Sequence, residues 1–164
     1  MNSEKAFDLA LRKAKERDFP LLIALYRSAV GSPGLPWTED YPSIDHIRGD
    51  YASGALYVLT RGGEPIGAVS ALPSEEGAET RELSRIAVAR DFRRKGYAKE
   101  MLRLLFAALS DEGCQKVALY VAVGNEAAIR LYRSLGFSFL GRTSLPDWGG
   151  EFYACERVLE PSPK

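Results

Sequence analysis

The sequence predicts an α+β fold of three layers, α/β/α, with helices on both faces of one mixed, mostly antiparallel sheet. Three observations carry that prediction. Two apolar stretches joined by a glycine turn, ALYVLTR (55–61) and PIGAVSAL (65–72), read as an antiparallel hairpin. Two amphipathic stretches, near 97–112 and 125–135, sit between strand-like segments as crossover helices do. The segment order β-α-α-β-β-β-α-β-α-β-β mixes both kinds of connection, which disfavours a doubly wound parallel sheet.

The elements follow in order. Phe7, Leu9 and Leu11 alternate with Asp8, Ala10 and Arg12, the period of a half-buried strand. Asp18 opens a helix in which Pro20 is tolerated and Leu21, Leu22, Leu25 and Tyr26 form the apolar face. Gly31, Pro33, Gly34 and Pro36 mark a loop. Ser43 caps a second helix that runs to about Ser53 and stops at Gly54. After the hairpin turn at Gly62-Gly63-Glu64, residues 73–80 read as an acidic loop, and 82–88 (ELSRIAV) as a third long strand. The helix over 97–112 places Met101, Leu102, Leu105, Phe106 and Leu109 on one face, and Gly113 ends it. A buried strand covers 117–121. Asn125 opens another helix with Ala128, Leu131, Tyr132 and Leu135 inward, closed by Gly136. Strands at 138–142 and 152–158 finish the sheet, with a frayed tail expected after Glu160.

The chain of 164 residues fits a single domain over 1–164, with an ordered core expected over about 7–158. Its 46% hydrophobic and 27% charged residues match a globular chain. Basic and acidic residues balance at 22 each, which argues against a general nucleic-acid binder. The basic charge is nevertheless clustered: Arg81, Arg85, Arg90, Arg93, Arg94, Lys95, Lys99 and Arg103 share one stretch. A local cluster suits a phosphate-bearing ligand better than a long polyanion. Cys114 and Cys155 show no metal-ligand spacing and read as reduced, buried small hydrophobes, so no metal is expected. Met1–Lys5 start no apolar run, and no run approaches the ~20 residues of a membrane helix. The expected compartment is the cytoplasm, with no membrane partner.

The chemistry lies in the strand-turn-helix around Gly96. The first N–H groups of a helix lack internal partners and carry partial positive charge, which makes an anion site. Gly96 lets a phosphate approach the backbone, Ala98 is small, and Arg93, Arg94 and Lys95 add charge. The chain has no G-x-x-x-x-G-K-[ST], and no G-x-G-x-x-G follows a strand, so a nucleotide hydrolase and a nicotinamide enzyme are both disfavoured. On these residues alone, an exposed basic turn capping an ordinary helix remains an equal reading.

Arg93-Arg94-Lys95-Gly96-Tyr97-Ala98 resembles the [Q/R]-x-x-G-x-[G/A] signature of the GCN5-related N-acetyltransferases, with Ala98 in place of a final glycine. The phrase from Leu83 to Ala98 is similar to that family throughout. A second phrase, Asn125 to Phe137, matches N-x-x-A-x-x-x-Y-x-x-x-G-F. The resemblance implies an acyl-CoA N-acyltransferase fold and direct transfer of acetyl from acetyl-CoA to an amine, either of a small molecule or of a protein N-terminus or lysine. A non-catalytic acyl-CoA sensor is the reading from another class. The family implies central strands that splay apart, here between 82–88 and 117–121. It implies Ile86, Ala87 and Val88 along the pantetheine arm, and the backbone of Arg93 to Ala98 on the pyrophosphate, with Tyr97 among them. It also implies Asn125, Ala128 and Tyr132 beside the cofactor, and leaves a homodimer open.

Several of these residues keep two readings. Asn125 is a helix N-cap, a group that reaches the cofactor, or both. Tyr132 is a core aromatic or the general acid that protonates the departing thiolate. Glu82 is a solvated strand-end charge or the general base that takes the ammonium proton, and it also borders the acceptor. The resemblance implies an acceptor bound by the first two helices and the loop between the last two strands, here against Trp37, Tyr41, Trp148 and Tyr153, with Glu39, Asp40 and Asp147 as acids nearby that suit a cationic amine. His46 reads as a surface residue, and nothing pairs it into a hydrolase triad.

Overall fold

The computed structural model describes residues 9–161. The expected strand start at Phe7 and the end of the expected tail, 162–164, lie outside them. Seven strands occur among the described residues: β1 (Leu9–Lys13), β2 (Leu56–Arg61), β3 (Glu64–Ser74), β4 (Gly77–Val88), β5 (Lys116–Ala122), β6 (Ser138–Thr143) and β7 (Phe152–Val158). They form one sheet in the order β1-β2-β3-β4-β5-β7-β6. Every neighbouring pair is antiparallel except β4–β5. The mixed, mostly antiparallel sheet expected from the sequence is therefore present.

Side chains alternate across the sheet, so each strand feeds two cores. On one face Leu56, Val58, Ala68 and Ala87 meet Leu22, Leu25 and Tyr26 of α1 (Phe19–Ala29) and Ile47 of α2 (Ile44–Ala52). On the other, Leu59, Val69, Leu83, Val117 and Leu119 meet Met101, Leu102 and Leu105 of α3 (Tyr97–Asp111) and Tyr132 of α4 (Glu126–Ser134). Fully burying each Leu or Val contributes roughly 1.5–3 kcal/mol.

Three sequence expectations are corrected. Leu21 is exposed; the inward face of α1 is Leu22, Leu25, Tyr26 and Ala29. Residues 73–80 are not a loop, because the β3–β4 ladder continues through Leu72↔Glu82 and Pro73↔Arg81 to Ser74↔Gly77. The acidic residues Glu75 and Glu76 form only the tip. Asp18 does not cap α1 directly. Its carboxylate accepts from the Lys15 N–H at 2.8 Å and pairs with Arg12 at 2.8 Å, closing a short 3-10 turn that precedes α1. Ser43 does cap α2, accepting from the His46 N–H at 3.3 Å.

Two irregularities position the site. β4 and β5 pair through only Thr80↔Lys116, Arg81↔Val117 and Glu82↔Ala118, and beyond Glu82 they part. Just there β4 bulges. Val69 stands opposite two residues, Arg85 and Ile86, and Arg85 takes φ 51°. Without the bulge Leu83 and Ala87 would share a face; with it they enter different cores.

Candidate active site

The anion turn comes first. A short 3-10 turn, Arg90–Phe92, leads into residues 93–96, where Arg94 (φ 63°) and Gly96 (φ 84°) are both left-handed. Left-handed backbone there turns successive N–H groups toward one concavity. Gly96 is the N-cap of α3, and the first bond back to it is Glu100 N–H to the Gly96 carbonyl at 3.1 Å. The N–H groups of Tyr97 and Ala98 thus lie in the first turn of α3, ahead of that first intrahelical bond. A Cβ built on Gly96 meets no atom within 4 Å, so its side is open and the glycine is demanded by φ.

The side chains of the turn are less alike than the sequence suggested. Arg93 is tied down: its Nε donates to the Val88 carbonyl at 2.9 Å, and its Nη atoms reach Ser32 and Ser28 on the α1 side at 3.4 and 3.3 Å. Burial and the neighbouring Arg90 lower its pKa. Its charge is therefore fixed against the protein rather than mobile. Arg94 is exposed, and Lys95 stands 6.0 Å from the Phe92 ring centroid. Tyr97 contributes only backbone to the turn, because its ring is buried against Phe92 at 5.9 Å. Ala98 packs partly on the α3 core.

From the turn the open side of β4 runs back past Val88, Ala87 and Ile86 to the fork. Ala87 and Val88 bury their side chains, and Ile86 is half-buried. The backbone on the β5 side is left without a strand partner along this stretch. Across the gap stands Asn125, whose Oδ1 caps α4 by accepting the Ala128 N–H at 3.3 Å. The cap uses the oxygen and leaves the amide nitrogen as donor. Tyr132 lies further along α4, buried, with its ring 5.5 Å from Phe137. Burial, and then the nearby Cys155, raise its pKa well above that of an ordinary phenol.

On the α1–α2 face the fork opens into a cleft of about 770 Å³, lined among others by Tyr41, His46, Glu82, Ser84, Arg85 and Trp148. The bulge explains the lining: it turns the consecutive residues Ser84 and Arg85 to the same face as Glu82. Glu82 is half-buried at the last paired position, and burial raises its pKa against a lowering contribution from Arg85. Arg85 donates from Nε and one Nη to Asp50 of α2, both at 2.7 Å, and from its other Nη to the Tyr41 hydroxyl at 2.9 Å. Ser70 donates to the same carboxylate. Burial opposes the charge of Arg85, but the bonds to Asp50 and Tyr41 outweigh it and raise the pKa.

Aromatic rings frame the cleft edge to face. Tyr41 lies 4.8 Å from Trp148 and 4.7 Å from His46, and Trp37 links Tyr41 to the buried Tyr26 at 6.1 and 5.6 Å. His46 is not a detached surface residue: its Nδ1 accepts the Ser43 N–H at 3.0 Å, and burial, with Arg85, lowers its pKa. That bond places the proton of neutral His46 on Nε2.

The expected acceptor residues therefore divide. Tyr41, Glu82, Trp148 and Asp147 line the cleft. Trp37 supports Tyr41 from behind, and Glu39 and Asp40 are exposed away from the lining. Tyr153 is corrected: it pairs with Val121 and packs on Phe139 at 5.6 Å, on the α3–α4 face of the sheet. Its neighbour Phe152 is the residue behind Trp148, at 6.3 Å. Asp50, Arg85 and His46 were not legible as site residues.

Comparison with known proteins agrees with this fold. The Acetyltransferase (GNAT) family profile matches residues 10–137. The chain is 32% identical over 130 residues to mouse "Probable N-acetyltransferase family 8 member 5", covering 75% of this chain and 57% of that one. It spans about half the length of the curated relatives it first matches. It is 28% identical over 152 residues to the L-methionine sulfoximine/L-methionine sulfone acetyltransferase of Pseudomonas aeruginosa, covering 87% of each. A Salmonella typhimurium structure solved with its cofactor acetyl-CoA superimposes with TM-score 0.75 at 20% identity, covering 96% of this chain and 97% of that one. At that identity the likeness establishes the fold.

Proposed function

The chain belongs to the GNAT family of acetyltransferases, and from that premise we propose that it moves the acetyl group of acetyl-CoA directly to a primary amine of a small molecule. One observation carries the proposal: Glu82 stands where β4 and β5 part, with the left-handed turn at Arg94–Gly96 up one side and the acid-and-aromatic cleft on the other. Donor and acceptor would meet at that point.

The residues fit the donor. The turn from Arg93 to Ala98 offers backbone N–H groups to a pyrophosphate, and the edge of Ile86–Val88, apart from the Val88 carbonyl that Arg93 holds, offers peptide groups to the amides of a pantetheine arm. Asn125 and Ala128 bound the same channel at the start of α4. Acetyl-CoA supplies a thioester carbonyl and a thiol leaving group. Glu82 takes the proton of the arriving ammonium and frees the nitrogen lone pair; its raised pKa makes it a stronger base than an ordinary glutamate. The Tyr132 phenol, kept neutral by burial, donates its proton to the departing sulfur. No covalent enzyme intermediate is needed. Much of the acceleration comes from holding the two reactants together.

The cleft volume, about 770 Å³, falls within the ~300–1,000 Å³ range of small-molecule sites and favours such an acceptor over a protein segment. The cytoplasm is the proposed compartment, supported by Cys114 and Cys155, both buried and neither in a disulfide. No helix among the described residues is long and apolar enough to cross a membrane. The test is thiol release from acetyl-CoA across a panel of amines and N-terminal peptides. Release with small amines is expected. Binding of acetyl-CoA with no release over any acceptor would make the protein a sensor instead, and release with peptides alone would move the acceptor to protein.

A further inference from the structure

The charges around the acceptor cleft do not balance locally. Among the described residues that line it, Arg85 is the one cation, while Glu82 and Asp147 are both acids. Arg85 is already committed within the wall of the cleft. Three of its five N–H donors are spent on Asp50 and Tyr41, and its side chain is 10% exposed against 7% for Asp50. Asp50 is itself held by Ser70 beneath it. A substrate carboxylate would meet a largely buried guanidinium whose charge is already matched by a seated, doubly hydrogen-bonded carboxylate. His46 adds no cation, since its Nδ1 already accepts from Ser43.

A carboxylate on the carbon that bears the amine is also tied in place. It sits two bonds from the nitrogen, so wherever Glu82 reaches the nitrogen's proton, that carboxylate lies close to Glu82 too. Like charges at such range repel, and here the neighbouring cation, Arg85, is already paired with Asp50. A simple ammonium meets the reverse: two acids, and rings of Tyr41 and Trp148 set edge to face as a wall for an apolar body.

We infer that the cleft selects primary amines with an apolar body and no carboxylate on the carbon bearing the nitrogen, and that the Asp50–Arg85 pair enforces this by neutralising the one cation among the described residues of the wall. The inference rests on the amine-transfer reading above. It makes Asp50 a specificity-determining residue that never touches the reacting atoms.

The experiment compares matched acceptors by thiol release from acetyl-CoA: tyramine with tyrosine, 2-phenylethylamine with phenylalanine, histamine with histidine. The amine of each pair should exceed its amino acid in kcat/KM by about a hundredfold. Equal or better rates with the amino acids would overturn the inference and leave the acetyltransferase reading intact. No release from any acceptor would end that reading, and this inference with it. Asp50→Asn keeps the side-chain shape but retains only one acceptor oxygen for Arg85 and removes the compensating charge, so the ratio should shrink by about tenfold. A folded Asp50→Asn protein with an unchanged ratio would remove the pair from the role. Asp147→Asn, at an exposed position that does not endanger folding, should narrow the ratio in the same direction, and an unchanged ratio there would count equally against the inference.

Discussion

Gly34 packs its backbone directly against Gly124. A Cβ at Gly34 would run into the Gly124 carbonyl and stand 2.6 Å from the Asn125 Cα, and Gly34 itself has φ 77°. The loop between α1 and α2 therefore rests on the turn that launches α4, across the gap between β4 and β5. Gly34→Ala should lift this loop and cost about 1–3 kcal/mol of stability. The amine KM should rise more than the acetyl-CoA KM, because the loop carries Tyr41. Steady-state kinetics beside a thermal melt would check this; an unaltered amine KM would detach the loop from the acceptor.

Gly96 answers to a different constraint. Its Cβ position is open, so Gly96→Ala adds only the cost of a left-handed conformation, about 1–2 kcal/mol. Gly96→Val adds bulk on the side where a pyrophosphate would lie. Valine should weaken acetyl-CoA binding by at least about tenfold beyond alanine while melting at a similar temperature, as isothermal titration would read.

Glu82→Gln should reduce kcat/KM by about 10²–10⁴. The pH profile offers a second reading. Burial raises the Glu82 pKa, so the carboxylate is the base above that pKa and is protonated, hence inert, below it. Activity should fall with acidification, with its midpoint above the ~4.3 of an ordinary glutamate. That limb should vanish in Glu82→Gln.

Tyr132→Phe keeps the ring that packs on Phe137 and removes the buried hydroxyl. The melting temperature and acetyl-CoA affinity should hold, while kcat drops by about tenfold or more. Full turnover in the variant would reduce Tyr132 to a core residue.

Asp18 links charge to folding. Hydrogen bonds from Arg12, opposed by burial but reinforced by the Lys15 N–H, hold its pKa below the usual carboxylate value. A depressed carboxylate contributes stability that is present above its unfolded pKa, about 3.9, and is lost as pH falls through the lower folded value. Asp18→Asn should cost about 2 kcal/mol at neutral pH and flatten the acid limb of a melting-temperature series.

Local signals were readable where one residue answers to one constraint. Gly96, Ser43 and Asn125 mark helix starts, and each stands at one. The fork was inferred only through family likeness, since no property of Glu82 or Ala118 announces that pairing ends there. Arg85 was read only as one of the basic cluster, because a bulge inserts a residue without disturbing composition, and its partner Asp50 is far away along the chain. Tyr153 was misplaced for a related reason. Strand parity after an irregular loop is unknown from sequence, and a shift of one residue exchanges the faces of Phe152 and Tyr153. His46 looked detached because its ring contact comes from the folded-back loop residue Tyr41.

The narrow β4–β5 seam also bears on mechanics. Three residue pairs join a half-sheet of four strands to one of three, while α3 and α4 pack beneath. Beyond Glu82 the halves are leaves held at one end. A donor lodged along 86–88 would act as a stay between them, so occupancy would stiffen the molecule as well as arm it. Amide exchange along that edge would then slow upon loading, before any acetyl group moves.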